Sequence, residues 1–171
     1  VCTLAACPGG AAPATLPMMT HHAVHVAPVS SLPWTVLRDI EHACYPADDC
    51  WNHSTLRMAP LLHDELSELA LLGDRPVGSC IVGRCDGQPE AWILGLSVVP
   101  GSAGHGIGGQ LLDRAVARCR EAADLGRLLL TVEPGKDRAR GLYERRGFEV
   151  VEEDEAFYGE GRGRLVLALR L

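Results

Sequence analysis

The stretch Val98-Val99-Pro100-Gly101-Ser102-Ala103-Gly104-His105-Gly106-Ile107-Gly108-Gly109-Gln110-Leu111-Leu112 decides how this chain folds and what it can hold. It begins as the apolar end of a strand and finishes as the start of an amphipathic helix. Between the two lie Gly101, Gly104, Gly106, Gly108 and Gly109. Glycine loses more backbone freedom on ordering than any other residue, so a cluster of glycines in one loop calls for a compensating use. A helix N-terminus supplies one. Its first N–H groups have no intrahelical partner, the helix dipole makes that end positive, and residues without side chains let phosphate oxygens reach the amides. The segment reads as an anion-binding loop rather than a plain flexible turn.

Two familiar phosphate loops fit it poorly. Gly101 and Gly106 have Walker spacing, but Ile107 stands where that loop requires lysine. Gly104, Gly106 and Gly109 satisfy GxGxxG literally, yet a dinucleotide fold needs repeated βαβ units from its start. Here the residues before the loop read differently. Glu65 to Leu72, Pro76 to Arg84 and Ala91 to Val99 are three successive strands, joined at Gly73-Asp74 and Asp86-Gly87 by turns that suit hairpins.

Further upstream, His25 to Pro28 reads as a first strand. Pro33 then opens a helix carrying Trp34, Leu37 and Ile40 at helical spacing, Pro46 to Trp51 is a polar turn, and Ser54 to Leu62 is a short helix ending around Pro60. Downstream, Gly108 to Ala123 puts Leu111, Leu112, Ala115, Val116 and Cys119 on one face and Arg114, Arg118 and Arg120 elsewhere. Leu128 to Glu133 is a strand, Asp137 to Arg146 a helix closed by Gly147, and Phe148 to Glu153 and Leu165 to Leu171 are the last strands. The strands on either side of the glycine loop are linked by a helix and should run parallel. The expected fold class is therefore α/β (α+β): a mixed, mostly antiparallel sheet of about seven strands flanked by helices.

Composition bounds the rest. At 171 residues and 47% hydrophobic content, the chain fits one domain, residues 21–171, preceded by an Ala-, Pro-, Gly- and Thr-rich tail, residues 1–20, expected to be disordered. That tail lacks the basic start of a secretory signal. A net charge of -6 with no clustered Lys and Arg argues against nucleic-acid binding, and the apolar run from Leu61 to Leu72 is interrupted by His63, Asp64, Glu65 and Glu68, so no membrane span is expected. The cysteines (2, 7, 44, 50, 80, 85 and 119) are odd in number and form no CxxC pair, which points to reduced thiols and a cytoplasmic protein. His42, Cys44, Cys50 and His53 are potential zinc ligands, but their spacing matches no common zinc module, and no metal is expected.

The glycine loop as a whole resembles the acetyl-CoA-binding motif of the GNAT N-acetyltransferase superfamily, a strand ending V-x-P followed by Q/R-x-x-G-x-G/A and an apolar helix. Val98 and Pro100 match the strand end, Gly106 and Gly108 the small positions, and Ile107, Leu111 and Leu112 the apolar ones. Ala103 departs from the pattern where relatives carry Gln or Arg, and His105 is the residue available to compensate. A second family motif, N-x-x-A-x-x-L-Y-x-x-x-G-F, is similar to the stretch from Lys136 to Phe148, with Ala139, Leu142, Tyr143, Gly147 and Phe148 matching. The resemblance runs from about Val24 to the C-terminus. Within the superfamily, the late Phe157-Tyr158 and the final strand look distantly like the group that acetylates ribosomal-protein N-termini.

The resemblance implies parallel, splayed fourth and fifth strands and direct acetyl transfer from acetyl-CoA to an amine. It sets Leu96, Ser97 and Val98 along the pantetheine arm, with the Val98 N–H as oxyanion donor. Ala103, Gly104, His105, Gly106, Ile107, Gly108 and Gly109 are implied to hold the coenzyme's phosphates, and Lys136 replaces the usual coenzyme-binding Asn. Tyr143 falls at the family's general-acid position beside the coenzyme. Its phenol has a pKa above that of a thiol and can hand a proton to the leaving thiolate, although a tyrosine beside Leu142 also serves as packing. Thr131 stands where the ribosomal-protein group has glutamate, so Glu133, two residues on and on the same strand face, is the candidate base, with Glu90 and Glu68 as rivals.

Trp34, Glu41, Asp48, Asp49, Trp51, Phe157 and Tyr158 occur where this fold selects its acceptor, and they suit an amine with an apolar part as well as they suit core packing. The acceptor reads as an amine-bearing small molecule or a peptide N-terminus. A non-catalytic acyl-CoA-binding regulatory domain is the alternative. Exposed late strands allow a homodimer.

Overall fold

Short runs rich in Val, Leu and Ile build most of the expected strands, and all seven are present in the computed structural model, which describes residues 24–171. The expected tail, residues 1–20, lies outside the described residues. In chain order the elements are β1 (Val24–Pro28), α1 (Thr35–Cys44), α2 (His53–Leu62), β2 (Glu68–Leu72), β3 (Arg75–Arg84), β4 (Glu90–Val98), α3 (Ile107–Glu121), β5 (Arg127–Val132), α4 (Asp137–Glu144), β6 (Glu149–Asp154) and β7 (Arg164–Arg170). They form one mixed sheet in the order β1-β2-β3-β4-β5-β7-β6, in which only β4 and β5 pair parallel.

Two boundaries move for local reasons. β2 starts at Glu68 rather than Glu65 because the preceding residues turn, and the Asp64 carboxylate there accepts from the N–H and the hydroxyl of Ser30, both at 2.8 Å. α2 continues past Pro60 to Leu62, and the helical ladder resumes as the His63 N–H donates to the Ala59 carbonyl at 3.0 Å. Proline costs a helix one hydrogen bond, and one bond is not enough to end it here.

The helices cover the two faces of the sheet. α3 presses Leu111, Leu112, Ala115 and Cys119, all fully buried, onto Leu96, Leu128, Leu130 and Leu167, while α4 adds Ala139 and Tyr143 to the same cluster. Each such leucine stabilises the fold by about 1.5–3 kcal/mol relative to an exposed one. α1 and α2 cover the opposite face through Leu37, Ile40, Leu56 and Ala59, against Leu69 and Ile81.

A carboxylate lies inside this packing. Glu68 is 1% exposed, and its Oε1 accepts from Arg118 Nε at 2.9 Å with Arg114 Nε at 3.4 Å. This pair ties α3 to β2. Replacing Arg118 by methionine keeps most of the packing and leaves Arg114 to hold the carboxylate, for an expected loss of about 1–3 kcal/mol. Replacing both arginines strands a buried charge, and urea denaturation should then report a loss of about 3–5 kcal/mol.

The feature that positions the site is a defect in β4. Ile81 faces Gly95 and Val82 faces Ile93, so Leu94 is a surplus residue. Such a bulge bends its strand and interrupts its pairing. The β4–β5 ladder accordingly runs only from Glu90↔Arg127 to Ile93↔Leu130, and beyond it the two parallel strands separate.

Candidate active site

Strand alternation dictates what faces this opening. The Val99 N–H donates to the Val77 carbonyl at 2.9 Å, and in an antiparallel ladder neighbouring amides point to opposite sides. The Leu96 and Val98 amides therefore turn away from β3, toward the gap left by β5. Ser97 points to the α1 side, where its hydroxyl lies 3.0 Å from that of Tyr45 and pins the strand to the end of α1.

The glycine loop stands at one end of the opening. Gly104 (φ +89°) and Gly106 (φ +75°) adopt the left-handed conformation, and an added Cβ at either would meet open space. Gly106 caps α3 without any side-chain hydrogen bond, so the first amides of the helix face an unfilled cleft. Gly109 serves packing instead: a Cβ there would come within 2.6 Å of Arg146 Nη2, whose guanidinium is tied to Asp113 and to the Leu142 carbonyl. This close approach sets α4 beside the loop.

The resulting cleft of about 210 Å³ brings together Val98, Ala103, Gly104, Gly106, Ile107, Gly108 and Gly109. Its wall also contains Arg138 and Arg145, which sequence reasoning missed. Their cationic character was visible, but the side of α4 they occupy depends on the α3–α4 contact. His105 stands beside the cleft with its Nδ1 3.3 Å from the Ser102 carbonyl oxygen, a hydrogen bond when that nitrogen carries the proton. It braces the loop from within, where Ala103 has no side chain able to do so.

At the other end, on the α1–α2 side of the sheet, lies a larger apolar cleft of about 640 Å³. Leu94 and Trp92 form its floor together with Thr131, α2 supplies Met58 and Leu62, and the loop before β7 supplies Phe157 and Tyr158. The bulge makes the floor: Leu94 and Gly95 both face this side, and a Cβ on Gly95 would touch the Trp51 ring at 3.6 Å. Glu41 positions Trp51 by accepting from its N–H at 3.1 Å, and burial raises the Glu41 pKa although that hydrogen bond opposes the shift. Asp49 and Arg162, 3.5 Å apart, link the two loops that flank the cleft.

Not every residue singled out by sequence reaches these clefts. Tyr143 is fully buried, edge-on to Phe148 with ring centroids 6.0 Å apart, and lines neither. Glu133 follows β5 and pairs with Lys136 at 3.9 Å, both about half exposed and outside both cleft walls. Glu68 is held by Arg118, and Glu90 is paired with Arg127. Trp34 caps the start of α1, under Arg38 and Arg57, rather than lining the apolar cleft. Burial pushes the Cys44 thiol up to about 11, and among the described residues no three His, Cys, Asp or Glu side chains converge as metal ligands. No helix among them is long and apolar enough to cross a membrane.

The parallel strand pair thus opens between a glycine-rich helix N-terminus and an apolar cleft. The family model described as Acetyltransferase (GNAT) family matches residues 34–148, and the chain belongs to that family. Zebrafish (Danio rerio) N-alpha-acetyltransferase 50 is 27% identical over 96 residues, 55% of this chain and 57% of the relative. Mycothiol acetyltransferase of Propionibacterium freudenreichii subsp. shermanii is 36% identical over 72 residues, 42% of this chain and 23% of the relative. The chain thus spans well under two thirds of either.

Three solved structures share the fold. Arabidopsis thaliana Naa50 in complex with the bisubstrate analogue CoA-Ac-MVNAL has a TM-score of 0.73 at 22% identity, covering 86% of this chain and 99% of its own. Arabidopsis thaliana NAA60 in complex with acetyl-CoA has 0.75 at 17%, covering 87% and 100%. The ribosomal-protein-S18-alanine N-acetyltransferase from Escherichia coli has 0.73 at 18%, covering 86% and 94%. Acetyl-CoA is the cosubstrate consistent with this family and with the ligands of the two Arabidopsis thaliana structures.

Proposed function

We propose that this chain transfers the acetyl group of acetyl-CoA directly to a primary amine, carried by a peptide or protein N-terminus or by a small molecule, and that it does so in the cytoplasm. The observation that carries the reading is the opening between β4 and β5, with the glycine loop at one end and the apolar cleft at the other. The coenzyme's phosphates lie on the amides of Gly104 to Gly109, aided by Arg138 and Arg145, and the pantetheine arm runs along Leu96 to Val98. Lys136 is the candidate further coenzyme contact.

The acceptor enters from the apolar cleft. Its nitrogen attacks the thioester carbonyl, whose oxygen gains charge and accepts hydrogen bonds from the inward-facing backbone, with the Val98 N–H as the first donor. The tetrahedral adduct then expels the thiolate with the C–S electron pair. Tyr143, one residue from Leu142 in the coenzyme cleft and shielded from water, is the candidate acid that protonates the sulfur. Glu133, two residues after Thr131 and just beyond the end of β5, is the candidate carboxylate to draw the amine's proton through a water. The exposed edge strand β6 is the candidate surface for a homodimer.

The test is calorimetric titration with acetyl-CoA and with NAD, followed by a thiol-release assay on a panel of N-terminal peptides and small amines. Acetyl-CoA binding with turnover supports the reading. Binding without turnover on any acceptor favours a regulatory acyl-CoA-binding domain, which the uncharged lining at Thr131 also fits. Arg145→Ala and Arg138→Ala should each weaken acetyl-CoA by about 1–2 kcal/mol, about 5- to 30-fold in Kd, while leaving the acceptor KM unchanged.

A further inference from the structure

The apolar cleft stops short of the place where the amine reacts. Its wall takes Trp92, Ile93 and Leu94 from β4, and no residue of that strand beyond Leu94. Val98, whose N–H is the proposed oxyanion donor, lies four residues further on. At about 3.3 Å per strand residue, the step from Val98 to Gly95, where the Trp51 ring begins the wall, is about 10 Å, and the step to Leu94 is about 13 Å. From there the cleft continues to His63, which stands at its far end against Gly83, the partner of Trp92. A Cβ on Gly83 would lie 3.2 Å from the His63 Cε1 and 2.8 Å from the Leu94 Cδ1, so this glycine keeps space for both side chains.

The lining suits an uncharged group. None of its side chains is a carboxylate, a lysine or an arginine, and the titratable ones are His63 and Tyr158. Burial lowers the His63 pKa below its ordinary 6.5, with the Leu62 backbone acting in the opposite sense, so the imidazole is uncharged at neutral pH. Met58, Leu62 and Tyr158 are 50%, 61% and 39% exposed, although the fold buries most of its other large apolar side chains. Large apolar side chains left open around one cavity mark a ligand site.

We propose that the acceptor carries a bulky, uncharged apolar group about 10–13 Å from its reacting nitrogen, and that the cleft reads this distal group rather than the amine-bearing end. The inference rests on the acetyl-transfer reading and on the thioester lying at Val98. In an extended peptide, at about 3.5 Å per residue, the spacing falls at the side chains of the third and fourth residues. In a small molecule it corresponds to an aromatic ring on a long alkyl linker. A second cation at that distance would lose its hydration against a wall with no carboxylate to pair it. The acids nearby are engaged elsewhere, Glu41 with the Trp51 N–H and Asp49 with Arg162.

The experiment measures kcat/KM for two acceptor series at saturating acetyl-CoA. One is an all-alanine peptide with a single Phe moved through the first four positions, and the other is a set of phenylalkylamines of increasing linker length. Phe at the third or fourth position should raise kcat/KM about 10- to 100-fold over the all-alanine peptide, and Lys there should remove the gain. The amines should show their optimum among the longer linkers. Met58→Glu puts a carboxylate on the wall and should cut the Phe gain by about tenfold while raising the Lys peptide above its wild-type rate. Leu61→Glu, on the same helix but outside the wall and 82% exposed, should keep the Phe gain. A flat profile, an optimum at the first two positions or the shortest linkers, or equal losses in both variants overturns the inference and leaves acetyl transfer standing. Turnover confined to one series identifies the source of the acceptor, and the spacing is judged within that series. Acetyl-CoA binding without turnover of any acceptor overturns the acetyl-transfer reading itself.

Discussion

Gly106→Val is expected to weaken acetyl-CoA binding by about 100-fold or more while the protein stays folded. At φ +75° a β-branched residue is strained by about 1–2 kcal/mol, which a domain of this size survives. No atom lies within 4 Å of the added Cβ, so the two methyl groups project into the space where phosphate oxygens would meet the amides of α3. Two lost hydrogen bonds to a charged group, at about 1.5–3 kcal/mol each, account for the loss in affinity. Gly87→Val is the matched control. Its φ is +74° with nothing within 4 Å, but it lies in the β3–β4 turn, away from the loop. Equal losses of Tm with unequal losses of acetyl-CoA affinity by calorimetry establish the loop's role; equal affinities would remove it.

Tyr143→Phe should lower kcat by about 100-fold, toward the lower end of what a positioned acid contributes. The change deletes one buried oxygen and keeps the ring that meets Phe148 edge-on, so the Kd for acetyl-CoA should move little and stability should fall by no more than about 1–3 kcal/mol. Tyr143→Ala is the contrasting variant. It empties a fully buried site in the α3 cluster and should cost about 3–5 kcal/mol, read as an early denaturation midpoint. If the Phe variant keeps full kcat and only the Ala variant fails, Tyr143 is a core residue and the thiolate takes its proton from elsewhere.

What the residues reveal in order, and what only packing reveals, divide cleanly here. Most of the strands were legible as short runs rich in Leu, Val and Ile bounded by turn residues, and α3 because Leu111, Leu112, Ala115 and Cys119 recur at helical spacing. The glycine loop was legible because its chemistry is local: a strand end, small residues and a helix start within a few positions. Arg138, Arg145 and His63 were not legible as site residues. Each enters a cleft wall through contacts between elements distant in sequence, at Gly109 with Arg146 and at Gly83 with Leu94. Glu41 is intermediate. It was named as an acceptor contact, but its carboxylate acts on the backbone of Trp51, which in turn forms the cleft. The acidic residues expected in the acceptor site lie outside its lining, Glu41 on the Trp51 backbone and Asp49 against Arg162, and the lining is mostly aromatic and aliphatic with Thr55, His63 and Thr131 among it.

The surplus residue in β4 has a consequence for chain length. Without Leu94, Ile93 and Gly95 would fall opposite Val82 and Ile81 in unbroken register, and successive side chains would again alternate faces. β5 could then continue its pairing, and the gap between the two ligand clefts would close. The space in which the two ligands meet therefore depends less on any functional group than on the one residue by which β4 exceeds β3 over their paired stretch. Shortening the strand there would leave every proposed binding and proton-transfer side chain in the chain, with no place for the ligands to meet.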